Sequence, residues 1–277
     1  MRRFVVLGTL LVAVFACPAA ATITIELNAE GRVENGVAFT LSAKNTGNEA
    51  AHDVEPEVAY EGKPSRGDAL AALEPNTSHE WKFALAAPPG TGTYPVVVRL
   101  RYSDANGYPL SALLVHLQRT AGARSGPARP TITSGPISRF GNAKLVIENP
   151  GPQPIAGRIT LLLPTEFQTD PENQPAQVPA QGRNEMTLVF QNAGALPGSA
   201  YPIYATFEYD QDGIHHAVVS NTTVNVVIGS TGTRVPPLVI GGGALLLVVG
   251  ALVLAWRAAA ERAARRRGTD RGHDTPH

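Results

Sequence analysis

The run TYPVVVRLRYSDANGYPLSALLV, Thr93 to Val115, is written a second time as AYPIYATFEYDQDGIHHAVVSNTTV, Ala200 to Val224. In the first copy Tyr94, Val96, Val98, Leu100 and Tyr102 alternate with Pro95, Arg99 and Arg101. In the second, Tyr201, Ile203, Ala205, Phe207 and Tyr209 hold the same phase, with Pro202, Thr206 and Glu208 opposite. Side chains alternate faces along a strand, so a slip of one residue would turn each apolar set to water. The chain is thereby constrained to bury the same face of the same strand in two places.

The repetition extends upstream. Asn45-Thr46-Gly47 within FTLSAKNTGNEAAHDV matches Asn149-Pro150-Gly151 within AKLVIENPGPQPIAGR, 104 residues later. Phe83 and Phe190, Tyr94 and Tyr201, and Tyr102 and Tyr209 pair at a spacing of 107. Preserved order, small insertions and a unit near one hundred residues describe a duplicated domain. Further strands are predicted at Ile23–Leu27, Val37–Asn45, Val54–Tyr60 and Glu80–Leu85, and again at Lys144–Asn149, Ile159–Leu163 and Met186–Phe190. DANG and DQDG mark hairpins after the two long strands, and no stretch outside the apolar segments near the two ends keeps a helical period. Many short strands in about a hundred residues are the pattern of a β-sandwich.

The expected fold is therefore all-β: two tandem Ig-like β-sandwiches, at 22–119 and 131–229, followed by a single C-terminal transmembrane helix. The segment TAGARSGPARP, 120–130, is expected to be a linker of limited flexibility.

The residues that carry the repeat also resemble a known family. LSAKNTGNEAAHDV, LEPNTSHEWKFAL and PPGTGTYPVVVRLRYSD are similar to the bacterial Ig-like domains related to cell adhesion, the CARDB type, and equally to an Ig-like module associated with glycoside hydrolases. VIENPGPQPIAGR, VPAQGRNEMTLVF and LPGSAYPIYATFEYD repeat the likeness in the second copy. It covers most of Thr22 to Ile228. Where that pattern has Pro-Gly before its fifth strand, this chain has Pro75-Asn76 and Ala180-Gln181-Gly182, a difference of turn geometry. The resemblance implies the sandwich fold. It implies no functional residue, because the shared positions are turns and core.

Both ends of the chain carry membrane signals. Arg2 and Arg3 precede FVVLGTLLVAVFA and the small triplet Ala19-Ala20-Ala21, the pattern of a secretory signal peptide, 1–21, cleaved after Ala21. The alternative is lipidation at Cys17, against which stand the bulk of Phe15 and a second anchor. That anchor is LVIGGGALLLVVGALVLAW, 238–256, which carries no charge and at ~1.5 Å per residue spans roughly the hydrocarbon thickness of a bilayer. A juxtamembrane linker, 230–237, precedes it. The tail, 257–277, holds six Arg against three acids, which sets it on the cytoplasmic side. The expected location is the cytoplasmic (inner) membrane, single-pass, with the lipid bilayer as a partner and the sandwiches outside. Gly243 and Gly250 share a face of that helix, and Asn76-Thr77-Ser78 and Asn221-Thr222-Thr223 are glycosylation sequons.

Chemistry is sparse. The whole chain balances 23 basic with 23 acidic residues, yet Thr22 to Val235 carries 15 basic against 20 acidic, a poor surface for nucleic acid. The only cysteine, Cys17, falls in the predicted signal peptide, so the mature chain is expected to need no disulfide. Metal-protease, hydrolase-elbow and phosphate-loop motifs are absent from the sequence. Asp104 and Asn106 in one hairpin turn, and Asp210 and Asp212 in the other, are candidate calcium ligands, and equally residues that cap their own turns. His215 and His216 are adjacent on a strand and point to opposite faces; His52, His79 and His116 are scattered. No cofactor is expected. The expected function is that of a membrane-anchored interaction or structural protein without catalysis, its repeat lengthening a stalk, with a protein or envelope-polymer partner. The alternative is an accessory subunit of an envelope enzyme or export complex.

Overall fold

The computed structural model describes residues 22–228. The predicted signal peptide with Cys17, the juxtamembrane segment, the transmembrane helix with Gly243 and Gly250, and the basic tail lie outside the described residues. Among the described residues no helix is long and apolar enough to cross a membrane, and every named element is a strand.

The first copy contains β1 (Ile25–Val33), β2 (Val37–Asn45), β3 (Ala51–Tyr60), β4 (Lys63–Arg66), β5 (Leu70–Leu73), β6 (Ser78–Leu85), β7 (Thr93–Ser103) and β8 (Pro109–Arg119). β1-β2-β6 form one sheet and β4-β3-β7-β8 the other, with β5 on the edge of β3. The second copy contains β9 (Arg129–Ser134), β10 (Phe140–Asn149), β11 (Ile155–Leu162), β12 (Phe167–Gln168), β13 (Asn173–Val178), β14 (Gly182–Asn192), β15 (Ala200–Gln211) and β16 (Ile214–Asn225). Its sheets are β12-β14-β10-β9 and β13-β11-β15-β16. All these pairings are antiparallel. Each copy is a β-sandwich with the Ig-like division of strands between its sheets. β9 begins at Arg129, two residues inside the segment expected to be a linker, because Ala128 is already packed in the second core.

The predicted phase is the observed one. Val98 and Ala205 are wholly buried, each in its own core, with Phe39 and Leu41 in the first and Ile159 and Phe207 in the second. The conserved feature of the repeat, Asn-x-Gly, has a structural reason. At the end of β2 the buried Asn45 donates from Nδ2 to the carbonyls of Glu49 (2.7 Å) and Leu73 (3.0 Å) and accepts from Gly47 N–H (3.0 Å). At the end of β10, Asn149 donates to Gln153 (2.7 Å) and Pro179 (3.1 Å) and accepts from Gly151 N–H (3.0 Å). One amide thus satisfies three backbone groups and ties two chain reversals together. Asn76 and Gln181, the residues that break the Pro-Gly pattern, sit nearby at φ of 61° and 49°, where glycine is the usual occupant.

The expectation of a stalk is corrected. The outer face of β7–β8 lies against that of β15–β16, and Leu113, Val115 and Leu162 form a small apolar seam between the copies, with Val97, Tyr204 and Val219 against it. Thr206, expected on an open face, is 1% exposed for this reason. The sandwiches are joined side by side.

Candidate functional site: the junction between the sandwiches

The seam has two polar ends. At one end, the connection between β11 and β12 carries Glu166 against the free edge of β8. Its carboxylate accepts from Ser111 N–H (2.7 Å) and Ser111 Oγ–H (2.6 Å), and Ser111 Oγ in turn accepts from Thr165 N–H (3.0 Å). Glu166 is 4% exposed. A buried carboxylate is tolerable only when its lone pairs are filled, and here a serine of the other copy fills them. Tyr108 Oη of the first copy donates to Gly194 O beside it, and Tyr204 Oη of the second donates to Leu113 O at 3.3 Å, so each copy contributes one tyrosine hydroxyl to a backbone carbonyl of the other.

At the other end the ring of His215 stacks on Tyr94, with centroids 4.6 Å apart and planes at 12°. Its backbone N–H donates to Thr91 O (3.0 Å), and a Cβ on Gly92 would lie 2.3 Å from His215 O, so only glycine fits there. Nδ1 is 2.9 Å from Asp210 Oδ1; Nε2 is 3.5 Å from Glu208 Oε2, a separation that suits an ion pair of the protonated ring better than a hydrogen bond. Glu208, then Asp210, hold the imidazole above its ordinary range against the opposing effect of burial. Glu61 approaches from the first copy, and burial followed by repulsion from Glu208 raises its carboxyl. Burial pushes the Tyr60 hydroxyl up to about 12. His216 turns the other way, stacks on Tyr209 (5.0 Å), and is lowered chiefly by burial.

A cleft of about 700 Å³ opens beside the Glu166 end, lined by both copies, with Tyr102, Tyr201 and Tyr204 among its walls. Ile23, just before β1, with Ile25 and Leu27 on it, supplies an apolar side. Concave surfaces at domain junctions, apolar with a few polar groups, are where ligands and partners bind.

The calcium candidates are not brought together. Asp104 Oδ1 accepts from Asn106 N–H (2.9 Å) and Tyr108 N–H (2.8 Å), closing its own turn. Asp210 is engaged with His215, and Asp212 takes a positive φ of 53° in the β15–β16 turn. Among the described residues no three His, Cys, Asp or Glu side chains gather as a metal cluster. His79 packs on Trp81 and His116 edge-on against Phe39, both at core margins; His52 lies on β3.

Sequence reasoning did not find Glu166, Ser111 or Tyr204. A signal was present. Alternation lapses in ALLV, Ala112 to Val115, in LLL, Leu161 to Leu163, and in VV, Val218-Val219, and strands covered on both faces lose alternation.

The class defined by this architecture is a pair of Ig-like β-sandwiches joined through their sheet faces. No protein-family model matches the chain, and no curated protein matches it. Among solved structures, red sea bream transglutaminase is 14% identical over 76% of this chain and 32% of its own, with a TM-score of 0.27. Salmonella alpha-2-macroglobulin is 10% identical over 74% of this chain and 16% of its own, at 0.32. The E. coli chaperone DraB is 13% identical over 72% of this chain and 98% of its own, at 0.30. The chain thus spans a third or less of the first two.

Proposed function

We propose that this protein is a membrane-anchored, extracytoplasmic interaction protein that holds a macromolecular partner in the cleft between its sandwiches and performs no catalysis. The observation that carries the reading is the cleft itself: about 700 Å³, lined by both copies, and fixed at its side by the Glu166–Ser111 clamp. A site that neither copy owns gives the duplication a purpose beyond fold. The polar groups closest to hand are committed to structure, Glu166 to Ser111 and Asp104 to its turn, which favours recognition over chemistry. The apolar run at 238–256 with its Arg-rich flank supports the anchored topology.

Site-specific photocrosslinking in native membranes tests the reading. A crosslinker at Leu196, on the rim of the cleft, is expected to give one discrete adduct, and a crosslinker at Val33, also exposed but outside the cleft, none. Equal labelling at both positions, or none at either, overturns the cleft as the binding surface. Protease added to spheroplasts should digest residues 22–228 and spare a small C-terminal fragment; a protected ectodomain reverses the topology.

A further inference from the structure

A second opening lies at the other end of the seam, and its chemistry differs. Its walls come from Thr93 at the start of β7, Arg119 at the end of β8, the connecting segment with Arg124 and Ser125, Arg129 at the start of β9, and the first half of β16; the volume is about 370 Å³. Three arginines line it and no acidic residue does. None of the three is in an ion pair among the described residues, whereas Arg66 and Arg101 both engage Glu57. This is an exception in a region whose acids outnumber its bases, 20 to 15 between Thr22 and Val235.

The frame of the opening is fixed before any ligand arrives. Thr120 N–H donates to Gly92 O (3.0 Å) and Gly92 N–H to Thr120 Oγ1 (2.8 Å), which pins the start of the connection to the first copy. Ala128 N–H donates to Tyr209 Oη (3.4 Å), which pins its end to the second. Between them the chain runs so close to Tyr209 that a Cβ on Gly126 would lie 1.9 Å from its Oη. Burial keeps the His216 ring below its ordinary range, so the positive character of the opening belongs to its arginines.

We infer that this opening is an anion site for a ligand bearing at least two phosphate groups, gripped by Arg119, Arg124 and Arg129 with the Thr93 and Ser125 hydroxyls beside them. Guanidinium forks match phosphate oxygens in pairs, and a phosphate monoester carries about −1.5 to −2 charge at neutral pH, so three arginines balance about two such groups. Because the residues come from both copies and the connection, the site exists only in the joined pair.

The test uses the full chain in phosphatidylcholine nanodiscs, titrated calorimetrically with inorganic tripolyphosphate. Saturable one-to-one binding is expected, weakening roughly tenfold with each of Arg119→Gln, Arg124→Gln and Arg129→Gln, and weakening with added salt. Arg32→Gln, an unpaired exposed arginine on β1, should change nothing. Unchanged melting temperatures in the pocket variants would show that folding is intact. Absence of saturable binding, or equal loss in Arg32→Gln, overturns the site. Equal affinity for citrate overturns its assignment to phosphate. Competition by phosphatidylglycerol discs would give the opening to a lipid headgroup instead of a soluble ligand. Failure here leaves the cleft reading intact, since the cleft opens at the opposite end of the seam and is read out by crosslinking.

Discussion

Asn45 and Asn149 make the same three hydrogen bonds to equivalent places, but the faces that Arg99 and Thr206 share by phase have separate fates. Arg99 is half-exposed, and Thr206 is buried with an Oγ1 that has no hydrogen-bond partner. Duplication kept what each copy needs to close on itself and altered what each presents to the other. The turns show the same division. Asp104 spends its carboxylate inside its own hairpin, while Asp210 reaches His215, which stacks across the junction.

The comparison breaks most visibly at the core. Val98→Asp and Ala205→Asp each bury an unpaired charge at a fully enclosed position and should cost several kcal/mol. Hydrogen exchange should then show loss of protection chiefly in the sandwich that carries the change; even loss in both would mean that the two copies fold as one cooperative unit. Next comes the brace. Asn45→Ala and Asn149→Ala should each lower stability by about 2–3 kcal/mol in urea titrations, because two backbone carbonyls and an N–H lose their partner. A difference between them well beyond 1 kcal/mol would sink the structural equivalence of the copies. The outer faces should then diverge: Thr206→Asp is expected to cost about 2 kcal/mol, and Arg99→Asp within about 0.5 kcal/mol of nothing. Equal tolerance would mean that the sheets are apart in solution.

The smallest effect is pH-dependent. His215 is raised in the folded protein, so its contribution is complete below the ordinary histidine value of about 6.5 and fades as pH rises through its folded value. Tyr94 and Glu61 face it from the first copy, Glu208 and Asp210 from the second. Glu61, also raised, acts in the same direction; His216, lowered, acts in the opposite one. The stability gap between the wild type and His215→Gln should therefore be largest in mild acid and shrink toward pH 8. A gap that widens with pH would mean that the ring is neutral in the fold.

Much of the fold could be read in advance for physical reasons. Alternation over β7 and β15 records which face is wet, so Val98 and Ala205 were legible as core, and the predicted strands beyond Ile23–Leu27 fall within observed ones, except that Ile159–Leu163 runs one residue past the end of β11 at Leu162. β1 runs further, to Val33, because Gly31 and Arg32 break the apolar pattern while β2 still pairs with them. The junction was less legible. Ser111 is a small polar residue in the apolar first half of β8, and Glu166 lies in the connection between β11 and β12. Their contact spans 55 residues, and no local periodicity encodes a partner that distant.

The covering of β8 has a consequence for how the chain is made. Synthesis delivers the first copy before the second exists, and for that interval the outer face of β8 is bare, with Leu113 and Val115 uncovered beside the strand's free edge. An apolar face next to an unpaired edge favours association with other chains. The second copy therefore acts as a built-in solubiliser of the first, and the order of the two matters to the cell. A chain ending at Arg119 should form β-rich aggregates at concentrations where residues 22–228 stay monomeric by light scattering, and Leu113→Lys with Val115→Lys should restore its solubility. A truncated chain that stays monomeric without those lysines would show that the uncovered face is harmless alone.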